Sequence, residues 1–100
     1  MKISEAQTLV EEIIKRYGIR RNALASLAGV YEELGGLSSK ILVKEGFKRG
    51  SVTPEEVGYS FAEVLFELLK LADSCNIDLE REWLKAVEKW KAAREEPRWL

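Results

Sequence analysis

Three carboxylates recur on one stripe of a predicted helix in the second half of the chain, and such a stripe can hold a metal ion. Glu56, Ser60, Glu63, Glu67 and Lys70 follow one another at intervals of 4, 3, 4 and 3 residues, which places them on one helix face. Acids from facing helices of a bundle bind hard cations such as Mg²⁺. The alternative, which periodicity alone favours, is a solvent-facing strip with an ordinary ion pair between Glu67 and Lys70.

A second acidic pair precedes this stripe on another predicted helix. Glu32 and Glu33 lie off its apolar face, and Gly36 follows Glu33 on the same side. Lys40 lies one turn beyond Gly36. The sequence has no histidine, so histidine-dependent zinc sites and Ser-His or Cys-His catalysis are excluded. Any chemistry here must use carboxylates, lysines or a cofactor.

Capping residues and glycines predict the helices that position these side chains. Ser4 and Gln7 fit a capping box, and Gly18 ends the first helix. Asn22 caps a second helix whose apolar spacing continues to Gly46. Its interior pair Gly35-Gly36 indicates a packing feature, a kink or the remnant of a lost function, because each glycine costs roughly 1 kcal/mol relative to alanine.

The second half of the chain is predicted to form two more helices. Thr53 and Pro54 give the clearest start signal in the sequence, a threonine cap followed by proline at the first helical position. The third helix runs to about residue 75 and ends at Asn76. Asp78 caps a fourth helix, which Pro97 stops after about Glu96. The chain is thus expected to be all-α, a four-helix bundle in one domain spanning residues 1–100.

The third helix is apolar around roughly two-thirds of its circumference. The apolar residues are Val57, Phe61, Ala62, Val64, Leu65, Phe66, Leu68, Leu69, Leu71 and Ala72. Four helices of one small chain can hardly cover so wide a face, so we expect a homodimer or a homotetramer to complete the bundle. Trp83, Trp90 and Trp99 are candidates for either the interface or the core.

Composition limits the partners and the compartment. The 16 basic residues nearly balance the 17 acidic ones, which argues against nucleic acid as a partner. The basic clusters are therefore expected to be solvated helix ends and a loop; they are Lys15-Arg16, Arg20-Arg21 and Lys48-Arg49. No apolar run reaches the roughly 20 residues of a membrane span, and acids stand near the N-terminus where a signal peptide is apolar. Cys75 has no second cysteine to pair with, and its neighbours predict a packed thiol. We therefore expect a cytoplasmic protein with no membrane partner.

The order of these residues resembles that of the MazG-type all-α nucleoside triphosphate pyrophosphatases over nearly the whole chain. The resemblance is carried by Ala6-Gln7, Leu9-Val10, Leu27, Glu32-Glu33-Leu34-Gly35-Gly36-Leu37, Phe61-Ala62-Glu63-Val64-Leu65-Phe66, Leu71-Ala72 and Ile77-Asp78-Leu79-Glu80. It implies Mg²⁺-dependent hydrolysis of a nucleoside triphosphate to the monophosphate and pyrophosphate, with metal-activated water as the nucleophile.

The same resemblance implies a metal site that is only half present in this sequence. Family members bind Mg²⁺ through E-x-x-E on the second helix and E-x-x-D on the third. Glu33 and Glu63 match the first and last acids, whereas Gly36 and Ser60 stand at the other two positions. In the tail, Ala86 and Trp90 stand where family members often have lysine and asparagine. Glu33 and Glu63 are therefore the expected ligands, with Glu32, Glu56 or Glu67 assisting. Under the same resemblance, Lys40 is a candidate contact for a substrate phosphate.

Two functions remain open from the sequence. The first is a pyrophosphohydrolase with full or weakened activity, since Mg²⁺ often binds through only one or two protein carboxylates together with substrate phosphates. The second is a non-catalytic relative, a helical oligomerisation or nucleotide-sensing protein, which the replacement of two acids by Gly36 and Ser60 favours.

Overall fold

The computed structural model describes residues 1–19 and 22–93, and helices are the only regular elements within these ranges. The helices are α1 (Ile3–Arg16), α2 (Ala23–Lys44), α3 (Pro54–Ser74) and α4 (Leu79–Ala92). The predicted all-α class and the number of helices are thus confirmed for the described part of the chain.

Three of the four helices begin at the capping residue that the sequence predicts. The side chains of Asn22, Thr53 and Asp78 each accept a hydrogen bond from a backbone N–H in the first turn of their helix. The donors belong to Ala25, Glu56 and Arg81, at 3.0, 3.1 and 3.1 Å. These bonds satisfy N–H groups that have no partner within the helix.

The predicted capping box at Ser4 is wrong. Helix α1 begins at Ile3 with Lys2 as its N-cap, and the carboxylate of Glu5 accepts the Lys2 backbone N–H at 3.1 Å. Ser4 instead lies inside the helix, where its N–H and hydroxyl both donate to Glu80 at 3.2 Å. Gln7 also has a long-range role, which a local reading of the sequence does not reveal.

The side chain of Gln7 ties α1 to the start of α4. Its amide nitrogen donates to the Ile77 carbonyl at 2.6 Å, and its amide oxygen accepts the Leu79 N–H at 3.1 Å. The second of these bonds satisfies an N–H in the first turn of α4. The residue predicted as a local cap therefore joins two helices that are 70 residues apart in the sequence.

Helix ends follow the predicted glycines and asparagine, with two corrections. Gly18, Gly46 and Asn76 have positive φ of 63°, 83° and 57°, the left-handed conformation that ends helices. Cys75 is exposed, not packed as predicted, because it caps α3 at the point where the chain turns away. Helix α4 ends at Ala92, and Ala93 is extended, so the helix is shorter than predicted; Glu96, Pro97 and Trp99 lie outside the described residues.

Helices α2 and α3 form the most extensive helix pair, α1 packs against α3, and α4 packs against α1. The hydrophobic core is small. Val10, Ile14 and Leu69 form its buried centre, and the surrounding side chains are Ile3, Ala6, Phe66 and Leu79. This arrangement leaves the sides of the α2–α3 pair largely uncovered.

The tryptophans of α4 pack on each other rather than in this core. The rings of Trp83 and Trp90 meet edge to face with centroids 5.7 Å apart, and both side chains remain more than 40% exposed. Within residues 1–19 and 22–93, no helix has the length and apolarity needed to cross a membrane.

Candidate functional site

The register of α2 against α3 determines which candidate residues come together. The hydroxyls of Ser26 and Ser74 lie 3.3 Å apart, and Gly29 lies against the carboxylate of Glu67. Gly29 follows Ser26 in α2, whereas Glu67 precedes Ser74 in α3, so the two helices run antiparallel.

By helix geometry, this register is expected to bring the candidate metal ligands to the same height along the helix pair. Glu33 lies one turn beyond Gly29 on α2, and Glu63 lies one turn before Glu67 on α3, so the two residues are expected at the same height along the helix pair. We call residues of α2 and α3 at the same height a level. The next level pairs Gly36 with Ser60. The four motif positions of α2 and α3 therefore form two adjacent levels, one with two carboxylates and the other with none.

Glu33 and Glu63 are both half-buried. Among the residues that the structure describes, neither has a hydrogen-bond or ion-pair partner. A carboxylate that is partly removed from water and lacks a partner is well suited to receive a cation.

A groove of about 470 Å³ lies along α3 beside Glu63. It is lined by Tyr59, Ala62, Glu63, Phe66 and Glu67. Its volume falls within the range of small-molecule sites, and it combines aromatic walls with a few polar groups, as such sites do. Sequence reasoning missed Tyr59 and assigned Phe66 only to the apolar face. The signal that could have found them is helical spacing, because Tyr59 precedes Glu63 by four residues and Phe66 follows it by three.

The polar stripe of α3 is not the solvent-facing strip that periodicity favours. The side chains of Glu67 and Lys70 are only 16% and 17% exposed, and Lys70 Nζ lies 2.8 Å from Glu67 Oε2. The predicted ion pair is therefore confirmed, but in a mostly buried setting. Because Lys70 neutralises it, Glu67 is less available to a metal than Glu63.

Gly29 explains why Glu67 can lie between the helices. A Cβ added to Gly29 would stand 2.5 Å from Glu67 Oε2 and 2.9 Å from Glu67 Cδ. Only glycine leaves room for the carboxylate in its present position. In contrast, a Cβ on Gly35 or Gly36 would meet nothing within 4 Å, so that pair is not a packing feature within the chain.

Ser60 lies between the helices, where an acid would be costly. It is 2% exposed, and its hydroxyl has no hydrogen-bond partner among the described residues. A carboxylate in this position would be buried without compensation unless it held a cation. The level of Gly36 and Ser60 therefore supplies no charge to the site.

The remaining candidates have other surroundings. Glu56 is exposed and accepts a hydrogen bond from the Thr53 hydroxyl at 3.3 Å, so it belongs to the cap of α3. Glu32 is exposed and Lys40 half-buried. In the described ranges, no three acidic or cysteine side chains are grouped closely enough to hold one metal ion.

The buried Glu67–Lys70 pair gives a testable coupling energy. We expect a double-mutant cycle with Glu67→Ala and Lys70→Ala to yield about 0.5–3 kcal/mol, measured by chemical denaturation, because the two charges are largely shielded from water. The exposed pair Glu11–Lys15, 3.1 Å apart, is the matched control, for which about 0.3–0.5 kcal/mol is expected. A coupling energy no larger than that of the control would contradict the expectation that the charges of Glu67 and Lys70 are shielded from water.

Comparison with known proteins gives one structural match. The chain matches the crystal structure of the putative pyrophosphatase YpjD from Bacillus subtilis with a TM-score of 0.79 and 26% sequence identity, over 95% of this chain and 97% of the other. No family model and no curated protein matches the sequence. The fold is therefore an all-α fold similar to that of YpjD, over nearly the whole length of both chains.

Proposed function

We propose that the chain is a MazG-like nucleoside triphosphate pyrophosphohydrolase, which converts a nucleoside triphosphate and water to the monophosphate and pyrophosphate. The observation that carries the proposal is the register of α2 against α3, with Gly29 against Glu67 beside the groove that Glu63 lines. By helix geometry this register brings Glu33 to the same height as Glu63. The structural similarity to YpjD supports it, since that protein is described as a putative pyrophosphatase.

The carboxylates present fit a Mg²⁺ ion that is shared with the substrate rather than one held in a protein cage. The described residues lack a group of three ligands, but Mg²⁺ commonly binds through one or two carboxylates while phosphates and waters complete its octahedron. Glu33 and Glu63 would hold the ion. When bound, it would supply charge neutralisation on the phosphates and a more acidic water.

The other residues of the groove would bind the organic part of the substrate. Tyr59 and Phe66 line the same groove as Glu63. Aromatic rings stack on any nucleobase, whichever of the bases it is. Lys40, on the same side of α2 as Gly36, would contact a phosphate. The triphosphate would thus lie at the acidic level and the base along the aromatic wall.

A specific observation also favours a second candidate, a non-catalytic nucleotide-sensing protein. The level formed by Gly36 and Ser60 has no carboxylate, and Ser60 is buried. With half of the acidic positions unfilled, Mg²⁺ affinity would fall and the nucleotide would bind without being cleaved. Stabilisation by nucleotide without turnover would identify this alternative.

The test is pyrophosphate release by the purified protein from a panel of NTPs and dNTPs with Mg²⁺ or Mn²⁺. We expect release from at least one nucleotide, with the monophosphate as the second product in equal amount and loss of release in EDTA. The Glu63→Ala variant is the background control. Release no faster than this control, across all nucleotides and both metals, would refute the catalytic proposal.

A further inference from the structure

Lys40 differs from the other cationic side chains of the α2–α3 pair because it has no partner. These two helices carry three lysines and no arginine. Lys44 Nζ lies 2.9 Å from Glu45 Oε1, and Lys70 Nζ lies 2.8 Å from Glu67 Oε2. Lys40 is half-buried and has no hydrogen bond or ion pair among the described residues. An ammonium group that is partly removed from water and unpaired is suited to bind an anion.

Helix geometry places Lys40 on the side of α2 that faces the groove. Gly29 marks this side, because it lies against Glu67, which lines the groove. Gly36 follows Gly29 by seven residues, nearly two full turns, and therefore returns to the same face. Lys40 follows Gly36 by four residues, and a helical side chain leans back over the preceding turn. The Lys40 side chain is thus directed toward the turn that contains Gly36.

Gly36 leaves the space beside Lys40 open. Gly36 is exposed, and a Cβ built on it would meet nothing within 4 Å. A glutamate at this position would stand four residues before Lys40, the spacing and order that best form an ion pair on a helix. Because no acid stands there, the Lys40 ammonium is not engaged within its own helix.

The α3 side of the same level is also uncharged. Ser60 is 2% exposed, and its hydroxyl has no hydrogen-bond partner among the described residues. Glu56, one turn before Ser60, is exposed to water and forms no ion pair with Lys40. The level of Gly36 and Ser60 therefore separates Lys40 from the level of Glu33 and Glu63 without placing a carboxylate between them.

The charges along the pair favour one direction for a chain of phosphates. A single Mg²⁺ would balance Glu33 and Glu63, so the phosphates bring negative charge that the ion alone does not neutralise. Toward one end of the pair they would meet Glu67, a further carboxylate whose lysine is already engaged. Toward the other end they would meet the uncharged level and then the ammonium of Lys40.

We propose that Lys40 and the open space over Gly36 form a subsite for the terminal phosphate of the substrate, so that the protein selects nucleoside triphosphates over diphosphates. This inference rests on the proposed function in placing the metal-bound phosphates at Glu33 and Glu63. Lys40 lies about 10 Å beyond Glu33 along the helix axis, and its side chain leans back toward the ion. A diphosphate would reach the ion but end short of the charge-assisted hydrogen bond that Lys40 donates.

The test measures binding of α,β-methylene analogues of nucleoside triphosphates and diphosphates to the full-length protein with Mg²⁺, by isothermal titration calorimetry. The methylene group replaces the oxygen of the bond that the proposed reaction breaks, so binding is measured without turnover. We expect wild-type protein to bind the triphosphate about 10–100-fold more tightly than the diphosphate, as a hydrogen bond between charged groups allows. Lys40→Met should weaken triphosphate binding alone and bring the two affinities to within about threefold.

Two pairs of variants separate the subsite from general effects of substitution. Lys44→Met removes the next lysine of α2, which is exposed and lies beside Glu45, and it should leave both affinities unchanged. Gly36→Glu introduces an acid that should pair with Lys40, and it should reduce the triphosphate preference to that of Lys40→Met. Gly36→Ala adds a Cβ without charge and should keep the wild-type preference. Circular dichroism checks that each variant is folded.

Three results would overturn the subsite. They are equal wild-type affinities for the two analogues, a triphosphate preference that survives Lys40→Met, and an equal loss of preference in Lys44→Met. Tighter triphosphate binding by Gly36→Glu would do so too, because position 36 would then serve the metal and not the lysine. Any of these together with pyrophosphate release would leave the proposed function standing. A preference that depends on Lys40 in a protein that releases no pyrophosphate would support the subsite and refute the catalytic proposal.

Discussion

Replacing Glu63 with glutamine is expected to lower kcat/KM for pyrophosphate release at least about 100-fold, since a lost ligand should cost no less than the 10–100-fold typical of groups that merely support a ligand. The substitution keeps the size of the side chain and removes its charge. Glu63 lines the groove and has no charged partner among the described residues, so its charge is not engaged elsewhere. Steady-state kinetics over a range of Mg²⁺ concentrations provides the measurement.

Glu55→Gln is the matched control for this variant. Glu55 is exposed in the first turn of α3, so the same helix loses the same charge away from the groove. We expect its kcat/KM to stay within about threefold of wild type, corresponding to less than 1 kcal/mol. If Glu63→Gln behaved like Glu55→Gln, Glu63 would not be a ligand, and a metal site at this level would be untenable.

Replacing Leu69 with alanine is expected to destabilise the fold by about 2–5 kcal/mol, the usual cost of removing a buried leucine side chain. Leu69 is 4% exposed and joins α3 to Val10 and Ile14 of α1. The effect should be severe for the whole protein, because so small a core has few other contacts to compensate. Chemical denaturation at a fixed protein concentration measures it.

Leu84→Ala is the control for this loss. Leu84 is 56% exposed, and surface substitutions of this kind usually change stability by no more than about 0.5 kcal/mol. Equal effects of the two substitutions would mean that the α1–α3 contact is not the centre of the core. A loss in Leu69→Ala alone would confirm the packing of α1 on α3.

Local signals allowed most of the helices to be predicted. Asn22, Thr53 and Asp78 cap helices as predicted because an N-cap bond spans only two or three residues. Ser4 carries the same signal but lies inside α1, which begins at Ile3 with Lys2 as its N-cap, and its hydroxyl donates to Glu80, 76 residues away. A capping motif alone therefore does not specify the first residue of a helix.

The sequence names candidate site residues, which stay a prediction, but it does not reveal their surroundings. The pairing of Glu33 with Glu63 requires the register of α2 against α3 as well as the motif spacing. The burial of Ser60 and the approach of Glu67 to Gly29 depend on the register of two helices, which a single sequence does not specify. Because apolar residues surround most of α3, we expected that the other helices of the chain would leave part of this helix uncovered. Phe61, Leu65 and Leu68 are exposed, as expected.

The central claim is that Glu33 and Glu63 together bind a metal–nucleotide complex. A crystal of the protein soaked with Mg²⁺ and a non-hydrolysable nucleoside triphosphate tests it most directly. We predict density for one ion bridging the two carboxylates and the phosphates, at the 2.0–2.1 Å distances typical of Mg²⁺, with the base beside Tyr59 and Phe66. A nucleotide bound elsewhere, or an ion that contacts neither carboxylate, would contradict the account.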